Sequence, residues 1–134
     1  MSQAKVDLIR RVFASITRGD LDAALEETDD DFELDYSNSI GPLKGVYRGR
    51  EEVRKFWASF IDAFERLSWD AEEIIDVDEL RVIVINHTRM RGRGSGVDVE
   101  AVGAQLWTIS DGKARRMKLF QSKADALEAA GLSE

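Results

Sequence analysis

The apolar positions change period about half way along the chain. Val6, Ile9, Phe13 and Ile16 recur at the spacing of one helix face, and "RGD" follows, with Gly19 suited to end that helix and Asp20 to cap the next, "LDAALEET". The helical period fails in "DDDFELDYSN", where a short strand around Phe32 to Tyr36 fits better. A loop with the only proline, "SIGPLKGVYRG", leads into "REEVRKFWASFIDAFERL". There Val53, Phe56, Trp57, Phe60, Ile61, Phe64 and Leu67 make one wide apolar face and predict a long helix.

From Ser68 onward the pattern is that of strands, about 68–77, 80–91, 97–110 and 113–121, separated by "DVDE", "GRGSG" and "SDG" turn chemistry. The closing "KADALEAAGL" returns to helix. Helices first and a meander of long strands afterwards predict an α+β domain, its helices packed on one face of a curved antiparallel sheet. At 134 residues the chain has the length of one domain, spanning 1–134. No internal repeat is visible.

A "GRGSG" hairpin that pairs Arg91 with Asp98 also pairs Arg89 with Glu100 and His87 with Val102, and two successive opposite-charge pairs favour that register. Alternation then puts Ile83, Ile85, His87, Arg89, Glu100, Val102, Ala104 and Leu106 on one face. Val82, Val84, Thr88, Met90, Val99, Ala101, Trp107 and Ile109 lie on the other. Both faces are too apolar to meet water, so one packs on the helices and the other is expected to pack on a second subunit. The alternative is that the C-terminal helix covers that second face.

Composition narrows the partners. A net charge of −7, with basic residues scattered among acids, argues against nucleic acid and anionic lipid surfaces. "MSQAKVDLIRRVF" holds no apolar signal core and no run is long enough to span a bilayer, so a cytoplasmic location is expected. With no cysteine, disulfides, thiol catalysis and thiolate metal sites are excluded together. The one histidine has no HxxxH or HxH partner, so no metal is expected. "GRGSG" lacks the lysine and helix of a phosphate loop, and its Ser95 is a hairpin residue rather than a nucleophile.

The order of elements, with "TDDDFELDYS", "YRGREEVRKFW", "AQLWTISDGKARRMKLF" and "ALEAAGL", resembles the SnoaL-like branch of the nuclear transport factor 2-like superfamily. That superfamily also holds ketosteroid isomerases, limonene epoxide hydrolases, scytalone dehydratases and polyketide cyclases. The resemblance implies a cone whose sheet wraps round a pocket closed by the helices. It would turn the face with Ile83, Ile85 and His87 into the pocket, with Asp35 across from it, Trp57 on the long helix, and Met117, Leu119 and Gln121 on the last strand.

Asp35 falls where ketosteroid isomerases keep their proton-shuttling carboxylate, and Trp57 where they have an aromatic wall. Their two oxyanion donors are missing, since Val12 and Ala104 occupy the nearest positions, and without donors a dienolate is not stabilised. The Arg-x-Asp pair and final Asp of a limonene-type hydrolase are replaced by Ile85, His87 and Leu119. An aspartate facing a histidine across an apolar pocket is closer to the cyclases and dehydratases.

The catalytic candidates are therefore Asp35 as general base and His87 as its acid partner, with no cofactor. A small hydrophobic, aromatic or polyketide-like substrate would meet Arg89, Trp57, Tyr36, Glu100, Gln121, Phe56, Phe60 and Met117. Each has a structural alternative. Asp35 could close an Asx-turn with "YSNS", and His87 could be a neutral ring bonded to a neighbour. Arg89 and Glu100 could be a cross-strand pair, and the aromatic residues core. The rival function is a noncatalytic ligand-binding or dimerisation module of the same fold.

Overall fold

The computed structural model describes residues 3–39 and 43–132. Helix α1 (Gln3–Thr17) buries Val6, Leu8, Ile9, Val12, Phe13 and Ile16, and α2 (Leu21–Glu26) follows, capped by Asp20, whose carboxylate accepts from the Ala23 amide at 3.1 Å. Strand β1 (Thr28–Asp35) and the short β2 (Val46–Arg48) precede α3 (Gly49–Asp62). Strands β3 (Phe64–Asp76), β4 (Arg81–Gly92), β5 (Asp98–Ser110) and β6 (Lys113–Phe120) then form the meander, and α4 (Lys123–Ala129) ends it. The strand order is β2-β1-β6-β5-β4-β3, a curved and unclosed sheet in which only the β1–β6 pairing is parallel.

The predicted hairpin register is the one observed: Arg91 opposes Asp98, Arg89 opposes Glu100 and His87 opposes Val102. The "SDG" turn carries positive φ at both Asp111 (53°) and Gly112 (73°), the pair of angles a tight type I′ hairpin needs.

Two elements differ from expectation. Strand β2 lies within the stretch read as loop. Helix α3 stops at Asp62, so Phe64 and Leu67 belong to β3 rather than to the helix face. A distant side chain helps fix that end. Arg93, at the tip of the β4–β5 hairpin, donates from its guanidinium to the carbonyls of Asp62 (3.0 Å) and Phe64 (3.2 Å), and its amide donates to Ala63 O (3.3 Å). Carbonyls that a longer helix would have bonded internally find partners there instead.

The main core lies between the helices and the concave face. It gathers Phe13, Phe32, Trp57, Trp69, Trp107, Val82, Val84 and Met117, each large ring contributing roughly 2–3 kcal/mol by burial. The faces are thus the reverse of the expectation. Val82, Val84, Trp107 and Ile109 meet the helices, whereas Ile83 and Ala104 lie on the convex side. There α4 lays Ala126 and Leu127 over Ile83, Ala104 and Phe120. The C-terminal helix therefore covers one end of the second face, as the alternative had it.

Candidate functional site

The inverted faces relocate the predicted chemistry. In β1 the alternation sends Phe32, Leu34 and Tyr36 inward and Asp35 to the convex side, where it opposes Lys118 of β6. Asp35 is buried (5% exposed) but fully engaged. It accepts from the Ser37 amide at 2.9 Å, closing the Asx-turn, and from Arg116 Nη2 at 3.0 Å, with Lys118 Nζ at 3.9 Å. Burial pushes its carboxyl up, but the Ser37 hydrogen bonds and the Lys118 and Arg116 charges outweigh that, and the net shift is downward. A base poised near neutrality needs the opposite shift.

His87 lies on the same convex side, three strands away, between two carboxylates. Its Nδ1 is 2.6 Å from Glu72 Oε1 and its Nε2 is 3.1 Å from Glu100 Oε2. Those two hydrogen bonds raise its pKa against desolvation and the nearby Arg89 charge. The ring is therefore a charged clasp across β3, β4 and β5, and Asp35 does not face it. Arg89 pairs with Asp70 and approaches Glu100 at 3.8 Å, and Arg89 and Glu100 both line an open, charged cleft of about 630 Å³ with Glu65, Met90, Arg91 and Val99.

The concave side holds a cavity of about 230 Å³. Tyr36, Phe60 and Gln121 line it, joined by Trp69, Asn86, Thr88, Met90, Ala101, Gly103, Gln105 and Leu119, with Val102 and Phe120 at its edge. Trp57, Phe56 and Met117 do not line it; they are core behind it. Gln121 sits at the mouth, its Nε2 donating to Asn38 O at 2.7 Å. No Asp, Glu, His, Lys or Arg is among the lining residues, and burial pushes the Tyr36 phenol further up.

How the sequence opens this space is readable in the pairing. Asn86 opposes Ala71 on one side and Gly103 on the other, and Thr88 lies between Ala101 and Trp69, so small residues flank Asn86 and leave room. A Cβ on Gly103 would meet only Leu119 Cδ1 and Phe120 O, both at 3.7 Å, so that glycine is dispensable for packing. A glycine in mid-strand marks a close approach by something else. Trp69 is held by Thr17, whose hydroxyl accepts from the Trp69 amide at 2.9 Å and donates to its carbonyl at 3.4 Å. The Asn86 carboxamide is 5% exposed and its Oδ1 has no hydrogen-bond partner. Reading Asn86 and Gly103 by sequence alone was possible in principle: an Asn and a Gly in otherwise apolar strands were the signal.

A family model described as a SnoaL-like domain matches residues 9–117. The chain belongs to the SnoaL-like domain family. No curated protein matches it in sequence. Among solved structures, TerC co-crystallised with polyporic acid superposes with a TM-score of 0.78 at 21% identity, covering 96% of this chain and 99% of that one. RV0760c from Mycobacterium tuberculosis, in complex with estradiol-17β-hemisuccinate, gives 0.77 at 17% identity and covers 91% and 96%. SalBIII, an epoxide hydrolase/cyclase-like enzyme in pyran ring formation in the polyether salinomycin, gives 0.76 at 20% identity, covering 92% and 94%. At these identities the likeness fixes the fold, the nuclear transport factor 2-like cone, for this SnoaL-like domain. Among its described residues no helix is long and apolar enough to cross a membrane, and no three His, Cys, Asp or Glu side chains gather to hold a metal.

Proposed function

We propose that this SnoaL-like domain binds a small uncharged molecule in the concave cavity and does not perform Asp/His acid–base chemistry. The observation that carries this is the lining itself: apolar and aromatic walls with neutral polar groups only, Asn86, Thr88, Gln105, Gln121 and the Tyr36 phenol, and no carboxylate or imidazole. General acid–base catalysis needs a titrating group within hydrogen-bond reach of the reacting atoms, and Asp35 and His87 are spent on convex-face partners. The ligand-bound state of neighbours such as TerC and RV0760c supports the reading. A cavity of about 230 Å³ lies below the ~300–1,000 Å³ of ordinary ligand clefts, which favours a ligand smaller than a steroid.

The test is a titration of the protein with toluene, phenol and benzoate, read by tryptophan fluorescence because Trp69 lines the site. Toluene and phenol bind and benzoate does not. Gly103→Leu fills the cavity and weakens binding by about tenfold or more at unchanged melting temperature, whereas Asp35→Asn and His87→Gln bind like wild type. Full binding by Gly103→Leu, or its loss in either convex-face variant, rejects the proposal.

Self-association through the convex face is a second expectation. Beyond α4 that face leaves Val102 59% exposed beside His87, an apolar position ringed by charge. Light scattering reporting a dimer that Val102→Asp dissociates would support it; a monomer at all concentrations would not.

A further inference from the structure

We propose that Asn86 and Gln105 form a neutral acceptor–donor pair that selects ligands carrying a hydroxyl group, so that the cavity takes small phenols or alcohols in preference to hydrocarbons, ethers or anions. The inference rests on the binding reading above and adds the chemistry of the bound group.

The two amides are not equivalent. Gln105 is 1% exposed and its Oε1 accepts from Trp107 Nε1 at 2.8 Å. An indole nitrogen can only donate, so this bond fixes the Gln105 amide one way round. Its Nε2 is the end left for a ligand. Asn86 supplies the complement, since its buried Oδ1 is an acceptor with no partner. An unmet buried acceptor of this kind is costly, and a ligand donor relieves it.

Register brings the pair together. Asn86 opposes Gly103, two residues before Gln105 on the same face, so the two side chains are diagonal neighbours about 7–8 Å apart at their backbones. Gly103 puts no side chain between them. A hydroxyl donates to one and accepts from the other through a single oxygen. A ketone or ether leaves Asn86 unmet, and a carboxylate adds charge repelled by Oδ1 and stripped of water by the aromatic walls. Thr88, on the next inward position of β4, tolerates either role because its hydroxyl rotates.

Phenol, anisole and toluene are the probes, titrated by tryptophan fluorescence and by the side-chain amide resonances of ¹⁵N-labelled wild type. Phenol binds about tenfold or more tightly than either analogue, and it shifts the Asn86 and Gln105 amide signals where toluene leaves them in place. Asn86→Leu, similar in size, removes the preference while toluene still binds. Equal binding of all three probes by wild type overturns the inference and leaves the binding reading standing. So does a phenol preference that survives in Asn86→Leu, or a water on Asn86 Oδ1 that persists with phenol bound. Failure of all three probes to bind overturns the binding reading and this inference with it. The wild-type amide shifts decide the matter even where Asn86→Leu fails to fold.

Discussion

The two faces of the sheet divide the chemistry of this protein between them. On the concave face the polar groups are neutral, few and buried: Asn86, Thr88 and Gln105 among aromatic and small apolar residues. On the convex face they are ionic and mutually satisfied. Glu33 is shared by Arg48 and Arg116, Asp35 by Arg116 and Lys118, His87 by Glu72 and Glu100, and Arg91 by Glu65 and Asp98. On the proposed reading, a titratable residue is a poor guide to the site in this protein. The groups that can still bond a ligand are those whose partners are missing.

The contrast breaks most visibly by placing one charge on each face. Val84→Asp puts a carboxylate into the core at a fully buried position and should cost about 4 kcal/mol or more, enough to abolish the folded signal in circular dichroism. Val102→Asp, at a position 59% exposed, should change the stability of the subunit by less than about 0.5 kcal/mol in urea melts. Comparable losses from both would mean that the face assignment is wrong.

Asp35→Asn removes charge-assisted hydrogen bonds from a buried carboxylate and should cost about 1.5–3 kcal/mol, measured by the same melts, without touching ligand affinity. Because the folded pKa of Asp35 lies below its unfolded value near 3.9, its contribution is present above that pH and is lost as pH falls through the folded value. The Asp35→Asn variant should accordingly lose less stability than wild type on acidification below about pH 4.

The smallest effect belongs to His87. Its folded pKa is raised above an unfolded value near 6.5, so the clasp to Glu72 and Glu100 stabilises fully below that pH and fades as pH rises through the folded pKa. Melting temperatures between pH 5 and 9 should show a decline in wild type that His87→Gln flattens. A parallel decline in both would assign the pH dependence to other groups.

Much of the fold was legible because its signals are local. The helical period of Val6 to Ile16, the Asp20 cap, the "SDG" turn and the charge ladder of the β4–β5 hairpin each set an element or a register without reference to the rest. Which face met the helices was not legible, since β4 reads Val-Ile-Val-Ile and offers both faces an apolar side chain at every step. The contrast that normally decides this is removed by α4, which buries Ile83 on the convex side as completely as the core buries Val84. A one-residue choice turns His87 and Ala104 inward in the sequence pattern, whereas Asn86, Gly103 and Gln105 face inward in the fold, and on β1 Leu34 and Tyr36 rather than Asp35 do so. The end of α3 was hidden for a different reason: Arg93, thirty-one residues beyond Asp62, bonds its last carbonyl.

The most direct test of a neutral concave site against an ionic convex one is a ¹H–¹⁵N correlation map of the wild-type protein titrated with phenol. The account predicts shifts concentrated on Trp69, Thr88, Gly103 and the side-chain amides of Asn86 and Gln105, with Asp35, Glu72, His87 and Arg116 unmoved. Shifts gathered on those four convex-face residues, with the concave ones still, would contradict it.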